Sequence, residues 1–156
     1  MSKESSAGLS TDATIRQLML LMPRLIARAK RLAVPPGLQP LDLAPRHLSL
    51  LSYLVFDGPL TVSDIAERLQ VAPTTVSLLV SEMAEKGVLT RREDESDRRR
   101  HIIGIAGEHG AAIEQWLAPG ASAWRRALEP LTPDERVTFI TTLLAYEQAI
   151  ADPPPG

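Results

Sequence analysis

The sequence predicts a mainly α-helical fold carrying one small β-hairpin, and three features of its patterning predict it. Apolar residues recur at helical spacing towards both ends of the chain. Two short helices joined by a three-residue turn stand near the middle. Short β-branched runs flank a charged loop directly after them. With 156 residues, 44% of them hydrophobic, there is apolar material for one compact domain or two closely packed lobes.

Met1 to Asp12 are Ser-rich and polar, lack the apolar stretch of a secretory signal, and read as a flexible start. Ile15, Leu18, Met19, Met22, Leu25, Ile26, Ala29 and Leu32 then recur every three or four residues, an amphipathic helix of about five turns. Pro23 lies inside it and removes a ladder hydrogen bond, which predicts a kink or a break. Pro35-Pro36-Gly37 and Pro40 mark a loop. A second helix is expected from near Pro45 to about Phe56, burying Leu48, Leu51, Tyr53 and Leu54, with Asp57-Gly58-Pro59 as its stop.

The richest segment is Pro59 to Ala106. Thr61 and Asp64 have capping-box spacing and open a short helix whose inner stripe is Ile65, Ala66 and Leu69. Gln70-Val71-Ala72 forms a tight turn, and Pro73 suits the first position of the next helix. Val76, Leu79, Val80 and Met83 make that helix's buried face, and Gly87 ends it. This is a helix-turn-helix. Val88 to Arg91 and His101 to Ile105 flank the polar run Glu93 to Arg100, giving the hairpin, or wing, of a winged helix-turn-helix.

The C-terminal part is again helical. Ile113, Trp116 and Leu117 precede Pro119-Gly120, which should bend or interrupt the helix before Trp124 and Leu128. Trp116 and Trp124, eight residues apart, fall near one face of a helix if Pro119 leaves it intact. Thr132-Pro133-Asp134-Glu135 carries a cap, a first-turn Pro and a Glu at capping-box spacing, and opens a last helix through Val137, Ile140 and Leu144. Residues 152–156, with three prolines, read as a flexible tail.

Composition removes several function classes. With no cysteine, disulfides, thiol redox sensing and thiolate zinc sites are excluded. His47, His101 and His109 lie far apart and no pair has metal-ligand spacing. No nucleophile elbow, phosphate loop or zinc-protease motif occurs, so no catalytic residue, metal or cofactor is assigned and the chain does not read as an enzyme. No apolar run approaches the roughly 18 residues of a membrane span, which points to the cytoplasm with no membrane partner.

Net charge is −2, but the charge is unevenly spread. Lys86 to His101 hold six Lys/Arg against four Asp/Glu, whereas the rest holds eleven against fifteen. The outward face of the second helix of the pair shows Thr74, Thr75, Ser77, Leu78 and Ser81. Hydroxyls near a helix N-terminus can bond phosphate oxygens or base edges, and the helix dipole favours phosphate there.

Leu60-Thr61-Val62-Ser63-Asp64-Ile65-Ala66-Glu67-Arg68-Leu69, Val71-Ala72-Pro73-Thr74-Thr75-Val76-Ser77, Glu85-Lys86-Gly87-Val88-Leu89, Arg91-Arg92 and Asp97-Arg98-Arg99 carry a resemblance. They resemble the multiple-antibiotic-resistance regulator (MarR) family of bacterial transcription factors, and the helix order extends the likeness from about Ile15 to Ile150. The resemblance implies a homodimer, its first and last helices forming a dimerisation lobe and each winged module binding a half-site of a pseudo-palindromic operator on double-stranded DNA.

It also places Arg98, Arg99 and Arg100 as a wing tip in the minor groove, with Asp97 orienting a wing arginine. Two positions depart from the family: Leu78 stands where Arg is frequent, and Ala72 where Ser is, the latter costing ~1 kcal/mol of capping. Leu78 can pack on a thymine methyl but cannot bridge guanine, and Glu82 and Glu85 add negative charge nearby. Base reading is therefore expected to be modest, with affinity resting on the wing. Relatives bind small aromatic effectors in a crevice that Met22, Arg46, His47 and Trp116 would line by position.

The resulting division is a flexible N-terminus (1–12), helices for the dimerisation lobe and module support (13–58), a winged DNA-binding module (59–106), C-terminal dimerisation helices (107–151) and a flexible tail (152–156). The leading functional reading is a sequence-specific transcriptional regulator, a homodimeric repressor relieved by an effector. The alternative is a winged module for protein–protein assembly without DNA, favoured by a pI near 5.9.

Overall fold

Helices begin where side chains can satisfy their first N–H groups. In the computed structural model, which describes residues 8–151, Ser10 Oγ accepts the Ala13 N–H at 3.2 Å and starts α1 (Thr11–Ala29). Thr11 and Asp12 are thus helical, not part of a flexible start: the cap at Ser10 and the favourable charge of Asp12 in the first turn extend the helix. Residues 1–7 of that expected segment, and the tail at 152–156, lie outside the described residues.

The order continues with a 3₁₀ turn (Gln39–Leu41), α2 (Pro45–Asp57), β1 (Leu60–Thr61), α3 (Val62–Leu69), α4 (Pro73–Glu85), β2 (Leu89–Glu93), β3 (His101–Ile105), α5 (Gly110–Leu128) and α6 (Pro133–Ala151). The three strands form an antiparallel sheet in the order β1-β3-β2. Ile103 sits at its centre, opposite Leu60 on one side and Arg91 on the other. The two-residue β1 was not expected, because Leu60-Thr61 is too short to show any alternation and is strand only by pairing with β3.

The chain divides into two units, the first ending at Leu117 and the second beginning at Ala118. The first unit holds the core: Leu50, Leu51, Leu54, Ile65, Val76, Val80, Met83, Val88, Ile103, Ile113 and Trp116 pack in one cluster, excluded from solvent. Ile113 and Trp116 from the start of α5 belong to this core, with Leu117 partly buried against it. In the second unit, Thr132 Oγ1 accepts the Glu135 N–H at 3.3 Å and Glu135 Oε2 accepts the Thr132 N–H at 2.8 Å, the expected capping box of α6. Trp124 is half exposed there, with its ring centroid 5.8 Å from that of Phe139.

Neither internal proline breaks its helix. α1 is continuous through Pro23 and α5 through Pro119. The carbonyls each ring deprives of a donor belong to Met19 and Gln115, both exposed, so water can replace the lost bond. Apolar side chains on α1 (Ile15, Leu18, Met19, Leu25, Ile26) and on α6 (Val137, Ile140, Leu144, Ile150) all remain exposed in the single chain, and neither helix buries a residue.

Candidate nucleic-acid interface

The surface is assembled from α3, α4 and the wing. Thr61 Oγ1 accepts the Asp64 N–H at 3.1 Å, while Asp64 Oδ2 accepts the Thr61 N–H at 3.1 Å and the Thr61 hydroxyl at 2.6 Å. These bonds fix the start of α3. The Thr61 hydroxyl and then its backbone N–H hold the Asp64 carboxyl below the ordinary aspartate range despite partial desolvation, with Arg100 and Arg68 adding attraction.

After α3 the chain turns through Gln70 in the left-handed conformation (φ 53°), which reverses its direction in three residues. α4 then starts with Pro73, and its N-cap Ala72 offers no side-chain bond, although its carbonyl accepts the Thr75 N–H at 3.0 Å. Burial of Val76, Val80 and Met83 sets the rotation of α4 about its axis. Thr74, Thr75, Ser77 and Leu78 consequently face solvent, Leu78 with 74% of its surface exposed, and Ser81 is half buried.

The wing loop is closed at its base by the Asp94 N–H donating to the Arg100 carbonyl at 2.9 Å. Asp94 Oδ1 accepts the Ser96 N–H (2.9 Å) and hydroxyl (2.8 Å), and these bonds hold its carboxyl below the ordinary range, with Arg100 and Arg92 helping. Asp97 Oδ1 accepts the backbone N–H of Arg99 at 3.0 Å, and its carbonyl accepts the N–H of Arg100 at 2.9 Å. Asp97 thus shapes the loop through main-chain groups and leaves the guanidinium groups free of it. Arg98, Arg99 and Arg100 are all exposed, and among the described residues none forms an ion pair. Arg91 from β2 reaches α4, its Nη2 donating to Ser81 Oγ at 3.1 Å.

Glu82, read from the sequence as added negative charge, is engaged instead. Arg46 Nη2 lies 3.3 Å away, Lys86 Nζ 3.4 Å and His47 Nε2 3.4 Å. Partial desolvation opposes its ionisation, but the His47, Arg46 and Lys86 donors outweigh that and hold the carboxyl below the ordinary range. The sequence reading missed this cluster. Its available signal was the three-residue spacing from Ala44 to His47 at a helix start, which lets a His side chain reach back to the N-cap N–H.

Of the four residues expected around an effector crevice, Arg46 and His47 meet at Glu82, Met22 is half buried on α1, and Trp116 is buried with its Nε1 lacking a partner among the described residues. A cleft of about 450 Å³ is formed by Arg125, Arg126, Leu128, Glu129 and Arg136 in the second unit, and another of about 500 Å³ runs along α4. The latter takes in Arg46, Leu69, Val71, Thr75, Leu78 and Glu82, but not Met22, His47 or Trp116. Among the described residues no group of three His, Asp or Glu side chains is placed to hold a metal, and no helix is long and apolar enough to cross a membrane.

A helix pair with an exposed second helix, followed by an antiparallel wing, defines a winged helix-turn-helix protein. Comparison with known proteins carries this further. A sequence model of the MarR family matches residues 41–100. The HTH-type transcriptional repressor MdtR of Bacillus subtilis (strain 168) is 32% identical over 105 residues, covering 66% of this chain and 68% of MdtR. The chain belongs to the MarR family, and so to a class of transcriptional regulators, not enzymes. The fold is shared with two solved structures. The S. aureus MepR–DNA complex matches with a TM-score of 0.60 and 24% identity over 84% of this chain and 96% of that one. The Streptomyces coelicolor regulator PcaV, in complex with its natural ligand, matches with a TM-score of 0.61 and 19% identity over 92% and 99%.

Proposed function

We propose that the protein is a homodimeric, sequence-specific repressor that grips double-stranded DNA with α4 and the wing. The observation that carries this reading is the pairing of three exposed wing-tip arginines, none in a direct ion pair among the described residues, with the solvent-facing hydroxyls of α4. Thr74, Thr75, Ser77, Leu78 and Ser81 meet the major groove, and Arg98, Arg99 and Arg100 enter the minor groove, with Asp97 shaping the loop that presents them. The DNA-bound relative MepR supports this assignment.

The exposed apolar faces of α1 and α6 support a second copy as their cover. A two-fold dimer presents two modules to half-sites about one helical turn, roughly 10 bp, apart. On this reading the working parts are the winged module at 59–106, helices at 13–58 that serve the dimerisation lobe and support the module, and C-terminal dimerisation helices at 107–151 whose first residues also pack in the module's core, acting in the cytoplasm. Relief by a small aromatic effector near Met22, Arg46, His47 and Trp116 completes the proposal, supported by the ligand complex of PcaV and the unpartnered Trp116 N–H.

The test is a mobility-shift titration on DNA flanking the protein's own gene at several salt concentrations, followed by sequencing of co-purified fragments. Retention that weakens steeply with salt and enriches a pseudo-palindrome is the expected result. No salt-sensitive retention on any duplex would leave the protein–protein assembly reading in its place.

A further inference from the structure

We infer that His47 is a positioning residue for DNA binding: a buried imidazole that, through Glu82, fine-tunes the rotation that the buried face gives α4 and hence the aim of Thr75 and Leu78. The inference rests on α4 being the recognition helix. His47 has no exposed surface. Its Nδ1 accepts the Ala44 N–H at 2.9 Å, and an accepting imidazole nitrogen carries no proton, so the ring proton sits on Nε2. That N–H lies 3.4 Å from Glu82 Oε2, a long contact with poor hydrogen-bond alignment. No other acceptor serves it among the described residues. The ring is therefore hydrogen-bonded to the N-terminus of α2 at one nitrogen and faces the Glu82 carboxylate of α4 at the other, a contact that is electrostatic rather than a formed hydrogen bond.

Glu82 occupies the same stripe of α4 as Thr75 and Leu78, at spacings of seven and four residues, and all three border one cleft. Turning α4 so that Glu82 left His47 would carry Thr75 and Leu78 round with it. Arg46 and Lys86 also reach Glu82, and Lys86 Nζ donates to the Asp42 carbonyl at 3.0 Å. Arg46 keeps 61% of its side chain in water, where an ion pair is weak and replaceable. His47 has no water to fall back on, so among the polar contacts to Glu82 its own is the most sensitive to small rotations about the orientation that Val76, Val80 and Met83 set.

The test uses the full chain with His47→Leu, His47→Gln and Glu82→Gln, thermal unfolding as the check on folding, and titration on the selected operator. Gln at a helix N3 position can accept from the N-cap N–H with its oxygen and donate to Glu82 with its amide. His47→Leu is expected to bind about tenfold more weakly, and His47→Gln to return to within about twofold of wild type. Glu82→Gln should lower affinity even though it removes a negative charge from the DNA-facing helix, the opposite of a simple charge effect.

Should His47→Leu fail to fold, ¹⁵N NMR of wild-type His47 decides: a proton on Nε2 with bare Nδ1 supports the inference, and a proton on Nδ1 overturns it. Unchanged affinity in His47→Leu, or no rescue by Gln, also overturns it. Wild type that binds no duplex would sink the repressor reading. In that case the NMR tautomer and a His47/Glu82 double-mutant cycle in thermal stability still test the tie itself, and an uncoupled cycle overturns it.

Discussion

Arg91 Nη2 donates to Ser81 Oγ at 3.1 Å, joining the first strand of the wing to the half-buried side of α4. Ser81 thus links α4 to the wing at the junction of the two, beside the more exposed Thr74, Thr75, Ser77 and Leu78. Ser81→Ala is expected to lower stability by ~1 kcal/mol or less, since Arg91 is exposed and water can take the lost bond. Operator affinity should fall a few-fold because Arg91 is no longer held. Thermal unfolding and a binding titration check this, and higher affinity in Ser81→Ala would mean that Ser81 holds Arg91 away from phosphate.

The wing tip and α4 should fail differently. Arg99→Ala is expected to weaken binding on all sequences and to reduce the salt slope by about one. Thr75→Ala and Ser77→Ala should instead change the ranking of sites, because hydroxyls near base edges carry sequence information and a minor-groove arginine carries little. Salt-dependent titrations on a panel of duplexes separate the two, and equal affinity for wild type and Arg99→Ala would remove the wing from the mechanism.

Acid should loosen the start of α3. The Asp64 carboxyl is held below its ordinary value of 3.8, chiefly by Thr61, so the unfolded chain takes up a proton first as pH falls. The stabilisation is complete above that ordinary value and is lost as pH falls through the lower folded one. Asp64→Asn should therefore be less stable than wild type at neutral pH and should lose less stability in acid, measured by unfolding at pH 7 and near pH 3. Parallel pH profiles for the two proteins would contradict the role given to Asp64.

A charge on the uncovered apolar face of α6 should separate the copies. Leu144 is 56% exposed in the single chain, so Leu144→Glu costs the monomer little, whereas burial in a dimer would strand the carboxylate. Sedimentation should show a dimer for wild type and a monomer for Leu144→Glu, with weaker operator binding. A monomeric wild type would remove the two-fold reading of the operator.

The helices were legible because their punctuation is local. Thr61 with Asp64, Pro73, Gly87 and Thr132 with Glu135 each set a boundary through groups within four residues, and the structure shows those boundaries. What was illegible depends on distance along the chain. β1 exists through its register with Ile102 and Ile103, some forty residues away. The Glu82 cluster draws Arg46 and His47 from thirty-five residues or more earlier. Whether Pro23 and Pro119 would break their helices was not legible, because a proline's penalty depends on whether the orphaned carbonyl can reach water, which only burial reveals. The exposed face of α4 was readable from its buried stripe, yet the same stripe could not say that Glu82 is neutralised.

Because the Asp94–Arg100 bond seals the neck of the wing, the five residues between them hang from a fixed frame whose strands begin only at Glu93 and His101. Changes of side chain or length within that small outgrowth need not reach Ile103 or the core behind it. What the tip presents and whether the module folds are thereby settled by different sets of residues.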